Sequence, residues 1–131
     1  MNKNLFITGC LFAVTAVALG ALGAHALKEK LTPGQLISFE TGVRYQFFHA
    51  MAILLTAANY EKFHPVFIKW AKRIFIAGIF CFSGSIYLLS MKEILHTEGM
   101  SQILGPITPL GGVLLISGWI FLMFSVLKSN K

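Results

Sequence analysis

Two histidines in apolar surroundings are the residues of this chain best suited to chemistry. His25 ends an uncharged run of alanine, leucine and glycine, and His49 follows Tyr45 and Gln46 by four and three residues. An imidazole can exchange a proton near neutral pH, ligate a metal or haem iron, or hold a hydrogen bond. Which of these applies depends on the elements that carry the two side chains.

The composition indicates that those elements are membrane helices. Of the 131 residues, 56% are hydrophobic and 12% are charged, and the mean hydropathy is +0.72. A soluble domain of this size needs more polar residues on its surface. Asp, Glu, Lys and Arg are absent from 4–27, 45–60, 74–91 and 99–127. The second of these runs is short and is expected to extend back past Arg44, whose side chain can reach the interface. A membrane helix needs about 20 apolar residues, so we expect an all-α, integral membrane four-helix bundle in one domain, residues 1–131, with spans at about 5–26, 43–60, 74–91 and 108–127.

The distribution of Lys and Arg predicts that both termini lie in the cytoplasm. With four spans, the termini and the second loop share one side and carry seven basic residues: Lys3, Lys62, Lys69, Lys72, Arg73, Lys128 and Lys131. The first and third loops carry four: Lys28, Lys30, Arg44 and Lys92. Basic residues favour the cytoplasmic side. The net charge of +6 then reflects topology and contact with anionic lipid, and we expect no nucleic acid partner.

The segments that enter the second and fourth spans have their own start signals. Thr32, Pro33 and Gln35 form a capping-box start, which predicts an interfacial helix at about 33–42 that bends at Gly42. Glu40 precedes Arg44 by four residues, the favourable order for an ion pair. Before the last span, two prolines three residues apart predict no regular helix until Pro109, with Thr108 as its cap. Lys3 with the apolar run up to Ala24-His25-Ala26 resembles a secretory signal, and Ile7–Cys10 resembles a lipoprotein cleavage motif. The run before Cys10 is too short for a signal core, and we expect the first span to remain uncleaved.

Small residues at helical spacing predict where the helices approach each other closely, since association in lipid depends on backbone proximity. The packing candidates are Gly20, Ala24, Cys81, Gly111 and Gly118. Both association within one chain and association between chains fit these stripes, so a homo-oligomer or another membrane protein is a possible partner.

On the expected topology, every span contributes polar groups to the outer half of the bundle. The candidate polar cluster is His25, Tyr45, Gln46, His49, Ser83, Ser85, Tyr87 and Thr108, with Glu40 and Arg44 as an ion pair at its mouth. Polar side chains at membrane depth are candidates for function.

The same segments carry a resemblance to a known family. The run Gly-Ala-Leu-Gly-Ala-His at 20–25, the run Thr-Gly-Val-Arg-Tyr-Gln-Phe-Phe-His at 41–49, Phe-Ser-Gly-Ser-Ile-Tyr at 82–87, and Thr-Pro-Leu-Gly-Gly at 108–112 with Gly118-Trp119 resemble the bacterial membrane proteins known as domain of unknown function 423. Transmembrane protein 256 of animals is similar. The resemblance covers nearly the whole chain and implies a four-helix, multi-pass protein of the bacterial plasma membrane. It does not indicate an activity.

Three functional hypotheses follow from the residues. The first is a structural or accessory membrane protein whose polar groups hold the helices in register. The second is a binding or transport site for a small polar molecule or ion, built as an oligomer because four helices enclose little space. The third is haem or metal binding through His25 and His49. The sequence has no catalytic motif of the common enzyme classes, so we expect no enzymatic activity, no cofactor and no metal.

Overall fold

The chain is described here by a computed structural model that covers residues 1–129. All regular elements in this part are helical. They are α1 (Lys3–Ala24), α2 (Pro33–Ala58), a 3₁₀ turn (Tyr60–Lys62), α3 (Pro65–Ile79), a π-helical segment (Phe80–Gly84), α4 (Ser85–Ser90), α5 (Lys92–Leu95), a second 3₁₀ turn (Glu98–Met100) and α6 (Ser101–Leu127). Among the described residues, three helical stretches are long and apolar enough to cross a membrane: Lys3–Ala24, Pro65–Ser90 and Glu98–Leu127.

The long helices pack as two antiparallel pairs. Helix α2 returns along α1, and α6 returns along α3. The pairs join where α2 lies against α3 and α4. The core between them is built from fully buried side chains such as Ile53 of α2 and Phe75 of α3, together with Leu115 of α6.

Helix α2 begins as the sequence predicts. The Thr32 side chain accepts a hydrogen bond from the Gln35 amide, and the Gln35 side chain accepts one from the Thr32 amide, so the capping box is confirmed. The helix then runs unbroken from Pro33 to Ala58. The segments 33–42 and 43–60 are therefore continuous, and Gly42 has a packing role, because a Cβ atom there would lie 2.8 Å from the ring of Tyr87.

Helices α3 and α4 form one rod, Pro65–Ser90, interrupted by the π-helical segment. The π segment lies opposite Gly111 of α6, whose missing side chain lets the two backbones touch. A π turn is a rare local widening of a helix. No local pattern in the sequence indicates this π turn, and the residue it packs against, Gly111, lies about thirty positions away.

The predicted start of the last helix at Pro109 is wrong. Helix α6 begins at Ser101 and includes both Pro106 and Pro109. Each proline lacks one helical N–H, which leaves the carbonyl oxygens of Gln102 and Gly105 without their usual donors. Helices in membranes tolerate such gaps because neighbouring groups bond nearby backbone. Thr108 is accordingly not a cap but an interior residue, whose hydroxyl donates to the Leu104 carbonyl at 3.3 Å.

Some of the small residues predicted to pack between helices do so. Cβ atoms placed at Gly111 or Gly118 would lie 2.7 Å from atoms of Phe82 and Phe75 respectively, so both glycines are close helix contacts. The backbone of Cys81 lies against Gly111, and a Cβ atom at Gly20 would lie 3.4 Å from the Val43 side chain, an ordinary contact. The prediction for Ala24 is wrong: it is the last residue of α1 and is exposed. Gly9, Gly23 and Gly78 make further close contacts with Leu54, Phe39 and Leu115.

Neighbouring glycines in α6 test this contact. Gly111→Ala would place a methyl group 2.7 Å from the Cα atom of Phe82, so backbone must move, and we expect a loss of about 2 kcal/mol in unfolding free energy. Gly112→Ala is the matched control, because its Cβ atom would meet the Phe82 ring at 3.7 Å, an ordinary contact. Thermal unfolding of both variants in detergent measures the difference. Equal melting temperatures would show that the π-helical segment and α6 do not meet at Gly111.

Candidate functional site

Gln46 of α2 is the centre of an interhelical junction, which we call the Gln46 junction. Its side chain is 4% exposed. The amide nitrogen donates to the Phe12 carbonyl at 2.9 Å and to the Thr15 hydroxyl at 2.8 Å, both on α1. The amide oxygen accepts from the Tyr87 hydroxyl of α4 at 2.8 Å. Both donors of the amide and its oxygen are therefore used, and three helices are joined by one side chain.

Thr15 is a member of this junction that the sequence analysis missed. Its hydroxyl accepts from Gln46 and donates to the Leu11 carbonyl of its own helix at 2.8 Å. Thr8 and Thr15 are seven residues apart in an otherwise apolar span, so they share a face of α1. That spacing was the signal that could have identified the polar face.

His49 forms a second junction, the His49 junction, between α2 and α6. Its Nδ1 donates to the Tyr45 carbonyl at 2.7 Å. Its Nε2 accepts from the indole N–H of Trp119 at 3.1 Å. Since an indole nitrogen only donates, Nε2 must be the unprotonated nitrogen and the ring is the neutral tautomer with hydrogen on Nδ1. Both nitrogens of this buried imidazole thus have partners within the protein.

Ser85 of α4 and Thr108 of α6 form a third junction, the Ser85 junction. Their hydroxyl oxygens are 2.7 Å apart. The Ser85 hydroxyl also lies 2.5 Å from the Cys81 carbonyl and 3.0 Å from the Phe82 carbonyl, both in the π-helical segment. The single hydroxyl hydrogen of Ser85 can therefore be donated to a backbone oxygen of the π-helical segment.

The remaining candidate residues lie outside these junctions. His25 is exposed beyond the end of α1, and its backbone N–H bonds Ala21. The Tyr45 ring is 41% exposed and packs on Phe82 with centroids 4.7 Å apart. Ser83 is buried, and its hydroxyl has no hydrogen-bond partner among residues 1–129.

The predicted ion pair between Glu40 and Arg44 at the mouth does not form. Glu40 and Arg44 are both exposed, and the salt bridge found in the described chain joins Glu61 to the N-terminal amine instead. A pair of solvent-exposed charges one helical turn apart gains little from contact, because water or lipid headgroups solvate each charge separately.

The structure distributes the candidate residues over several depths instead of one. Gln46 is the fourteenth of 26 residues in α2, and Thr15 is the thirteenth of 22 in α1, so the Gln46 junction lies near the helix midpoints. Thr108 lies near the beginning of α6, and Trp119 lies in its second half. The Ser85 and His49 junctions therefore lie on opposite sides of the Gln46 junction.

The two histidines do not form a pair. Gly23, near the end of α1, packs on Phe39 of α2. Phe39 precedes His49 by ten residues, which is about 15 Å along a helix. His49 has both nitrogens bonded, and His25 lies at the helix end. This geometry does not support joint ligation of one metal or haem iron by the two histidines within one chain. No group of three metal-ligating side chains occurs in the part of the chain that the structure describes.

Fold and junctions together define a small all-helical membrane protein, with helices that are long and apolar enough to span a bilayer and with polar contacts between them. Residues 19–112 match the family described as "Protein of unknown function (DUF423)". The chain belongs to this family, as its sequence motifs indicate.

Bacterial relatives match over almost their whole length. The UPF0382 membrane protein YwdK of Bacillus subtilis is 39% identical over 127 residues, which cover 96% of this chain and 98% of the relative. The UPF0382 membrane protein SAB0533 of Staphylococcus aureus is 38% identical over 126 residues, which cover 96% and 97%. No solved structure matches the chain.

Two tyrosines allow a controlled test of the Gln46 junction. Tyr87→Phe removes the hydroxyl bonded to Gln46, and we expect a loss of about 1 kcal/mol in unfolding free energy. Gln46→Leu removes all three bonds and should cost about 2 kcal/mol. The double variant should lose less than the sum, because both changes remove the same bond. Tyr45→Phe is the control, since the Tyr45 ring is 41% exposed and its hydroxyl makes no hydrogen bond among the described residues. Equal stability of the two tyrosine variants would contradict the junction.

Two tryptophans provide a similar test of the His49 junction. Trp119→Phe leaves Nε2 of His49 without its donor, so we expect a loss of about 1 kcal/mol. Trp70→Phe removes an exposed indole and should have little effect. Nitrogen-15 NMR of labelled histidine should show His49 protonated on Nδ1 in the parent protein. A spectrum with Nε2 protonated would overturn this assignment.

Proposed function

We propose that the chain is a four-span protein of the bacterial plasma membrane, with α2 as the additional span. Helix α2 contains 26 residues, about 39 Å, which exceeds the roughly 30 Å of a bilayer core. It runs beside α1 and α4, so it occupies the same depth as they do. Its polar residues Gln46 and His49 face inward, while Phe48 and Leu55 are exposed. Inward-facing polar groups lower its hydropathy without exposing them to lipid.

The charges at the helix ends support an orientation with both termini in the cytoplasm. The end formed by the N-terminus, the loop before α3 and the end of α6 carries six of the described basic residues: Lys3, Lys62, Lys69, Lys72, Arg73 and Lys128. Glu61 is its only acidic residue within 1–129, while the other four glutamates lie towards the opposite end. Such an excess of basic residues favours the cytoplasmic face.

We infer that the role of this protein is structural or accessory and not catalytic. The observation that carries this inference is the Gln46 junction, in which one amide bonds α1, α2 and α4 and retains no free N–H for a substrate. His49 is likewise bonded at both nitrogens. Side chains that bond each other across helices fix the register of a membrane protein.

A pocket at the end of the bundle away from the two termini favours a second candidate function. This is the binding of a small polar molecule. This pocket of 330 Å³ lies between α2, α4, α5 and α6 and includes Thr108. Gln35 donates to Glu93 across it at 3.2 Å, and the buried hydroxyl of Ser90 has no partner among the described residues. Polar groups in a concave site can bind a ligand. A stabilising solute whose effect is lost in Glu93→Gln would support this candidate.

The orientation predicts a labelling pattern. Single cysteines introduced at Glu61 and Lys128, in a background without the two native cysteines, should be protected from an impermeant thiol reagent added to intact cells. A cysteine at Glu29 should be labelled, because the loop between α1 and α2 then lies outside. Labelling of position 61 but not 29 would reverse the topology, and labelling of both would remove α2 as a span.

The accessory role predicts that a variant can lose folding stability without any change in the permeability of the vesicles that contain it. Vesicles that contain the Gln46→Leu variant should show the same ion and proton flux as vesicles with the parent protein, although the variant unfolds more readily. A flux that is present in the parent and lost in Gln46→Leu, but retained in Tyr45→Phe, would contradict a structural role and favour transport.

A further inference from the structure

A lateral groove lies between α1 and the rod formed by α3 and α4, with α2 as its floor. It has a volume of 520 Å³. The rings of Phe12 and Phe80 meet edge to face at this position, with centroids 5.5 Å apart. Most of the lining is apolar and includes Leu11, Leu19 and Ile79. The groove is therefore an apolar channel on the flank of the protein, where a four-span protein faces lipid.

The groove continues into a basic mouth at the end where both termini lie. This depression of 240 Å³ is lined by Asn2, Asn4, Leu5, Lys72 and Arg73. It shares two lining residues, Thr8 of α1 and Ile76 of α3, with the apolar groove. One continuous surface thus changes from apolar to basic along the helix axis.

The two cations of the mouth have no acidic partner in the described chain. Lys72 lies over the ring of Tyr60 at 5.5 Å and Arg73 over the ring of Trp70 at 5.7 Å, contacts that leave the charges in place. Glu61, the acid at this end, is bonded to the N-terminal amine, which holds the pKa of its carboxyl below the usual value. The mouth therefore has an uncompensated positive charge that favours an anion.

The distance from the mouth to the middle of the groove corresponds to one leaflet of a membrane. From Asn4 of the mouth to Thr15, which lies near the midpoint of α1, the lining extends eleven residues along the helix, which is about 16 Å. Half of a bilayer core of roughly 30 Å is about 15 Å. An occupant with an anionic head at Lys72 and Arg73 and an alkyl chain along the groove would end near the bilayer midplane.

We propose that this groove binds an anionic glycerophospholipid of the adjacent leaflet. Lys72 and Arg73 bind its phosphate, and one acyl chain lies along the apolar lining between α1 and α3. The inference rests on the membrane insertion proposed above, and it adds a specific lipid site to the general contact with the bilayer. A bound lipid fits better than a helix of a second copy. Four of the five glutamates lie away from this end and Glu61 is bonded to the N-terminal amine, so a second copy has no free carboxylate to place at the mouth within the described residues.

Native mass spectrometry of the full chain, released from lipid nanodiscs, tests the proposal. Three conditions are compared: phosphatidylglycerol, phosphatidylcholine with the same chains, and phosphatidylcholine with added inorganic phosphate. We expect retained phosphatidylglycerol, bound about tenfold more tightly than phosphatidylcholine, and no adduct with phosphate alone.

Four variants separate the head site from the chain site. Lys72→Gln with Arg73→Gln should weaken retention of phosphatidylglycerol roughly 25-fold, since each basic residue near an anionic lipid raises the affinity about fivefold. Lys62→Gln with Lys69→Gln removes the same charge outside the mouth and should retain the lipid. Gly84→Leu should displace the acyl chain, because Gly84 lines the groove and a Cβ atom there meets no atom within 4 Å, so the variant should fold. Ala18→Leu, on the exposed surface of α1 outside the groove, is its control.

Several outcomes would overturn the lipid site. These are equal retention of the two lipids, equal losses in the two double variants, no effect of Gly84→Leu, or a dimer that carries no lipid. Both leaflets of a nanodisc have the same composition, so a reversed topology in the labelling experiment would leave lipid retention unchanged. The lipid site and the proposed orientation can therefore fail independently.

Discussion

The hydrogen bond from Tyr87 to Gln46 is the interaction on which the arrangement of the four long helices depends. The pair α1 and α2 and the pair α3 and α6 each have their own close glycine contacts, whereas the bond at 2.8 Å ties one pair to the other. Gly42 lets Tyr87 approach α2, and Gln46 carries the connection on to α1. In an apolar medium an unpaired amide costs several kcal/mol, so these groups strongly favour the observed register.

The irregular parts of the helices lie where they create another polar contact. The π-helical segment leaves the carbonyl oxygens of Cys81 and Phe82 within reach of Ser85, and Ser85 meets Thr108 of α6. Pro106 and Pro109 flank Thr108 in the same region. Gly111 permits the close approach that brings α3 and α6 together there. The irregular stretches of backbone thus lie at the contact between Ser85 and Thr108.

The polar groups that face inward and the groove that faces outward share Gln46, Thr15 and Tyr87. Because these side chains are bonded to each other, the floor of the groove offers an occupant little polarity, and its affinity must come from the apolar walls and the basic mouth. Binding of a lipid in this groove, as proposed above, is consistent with the proposed accessory role.

The sequence by itself determined the helical class, the capped start of α2 at Thr32 and the close contacts at Gly111 and Gly118, because hydropathy, capping and small-residue spacing act over a few neighbouring residues. It also identified Gln46, His49, Tyr87, Ser85 and Thr108 as polar groups in apolar segments. Only the tertiary structure decided their partners: Thr15 and Trp119 joined Gln46 and His49, while His25, Glu40 and Arg44 remained at the surface. It also decided that α6 continues through two prolines and that a π turn forms in the rod of α3 and α4. Partners depend on helix rotation and register, which arise from packing between distant segments and leave no local pattern in the chain.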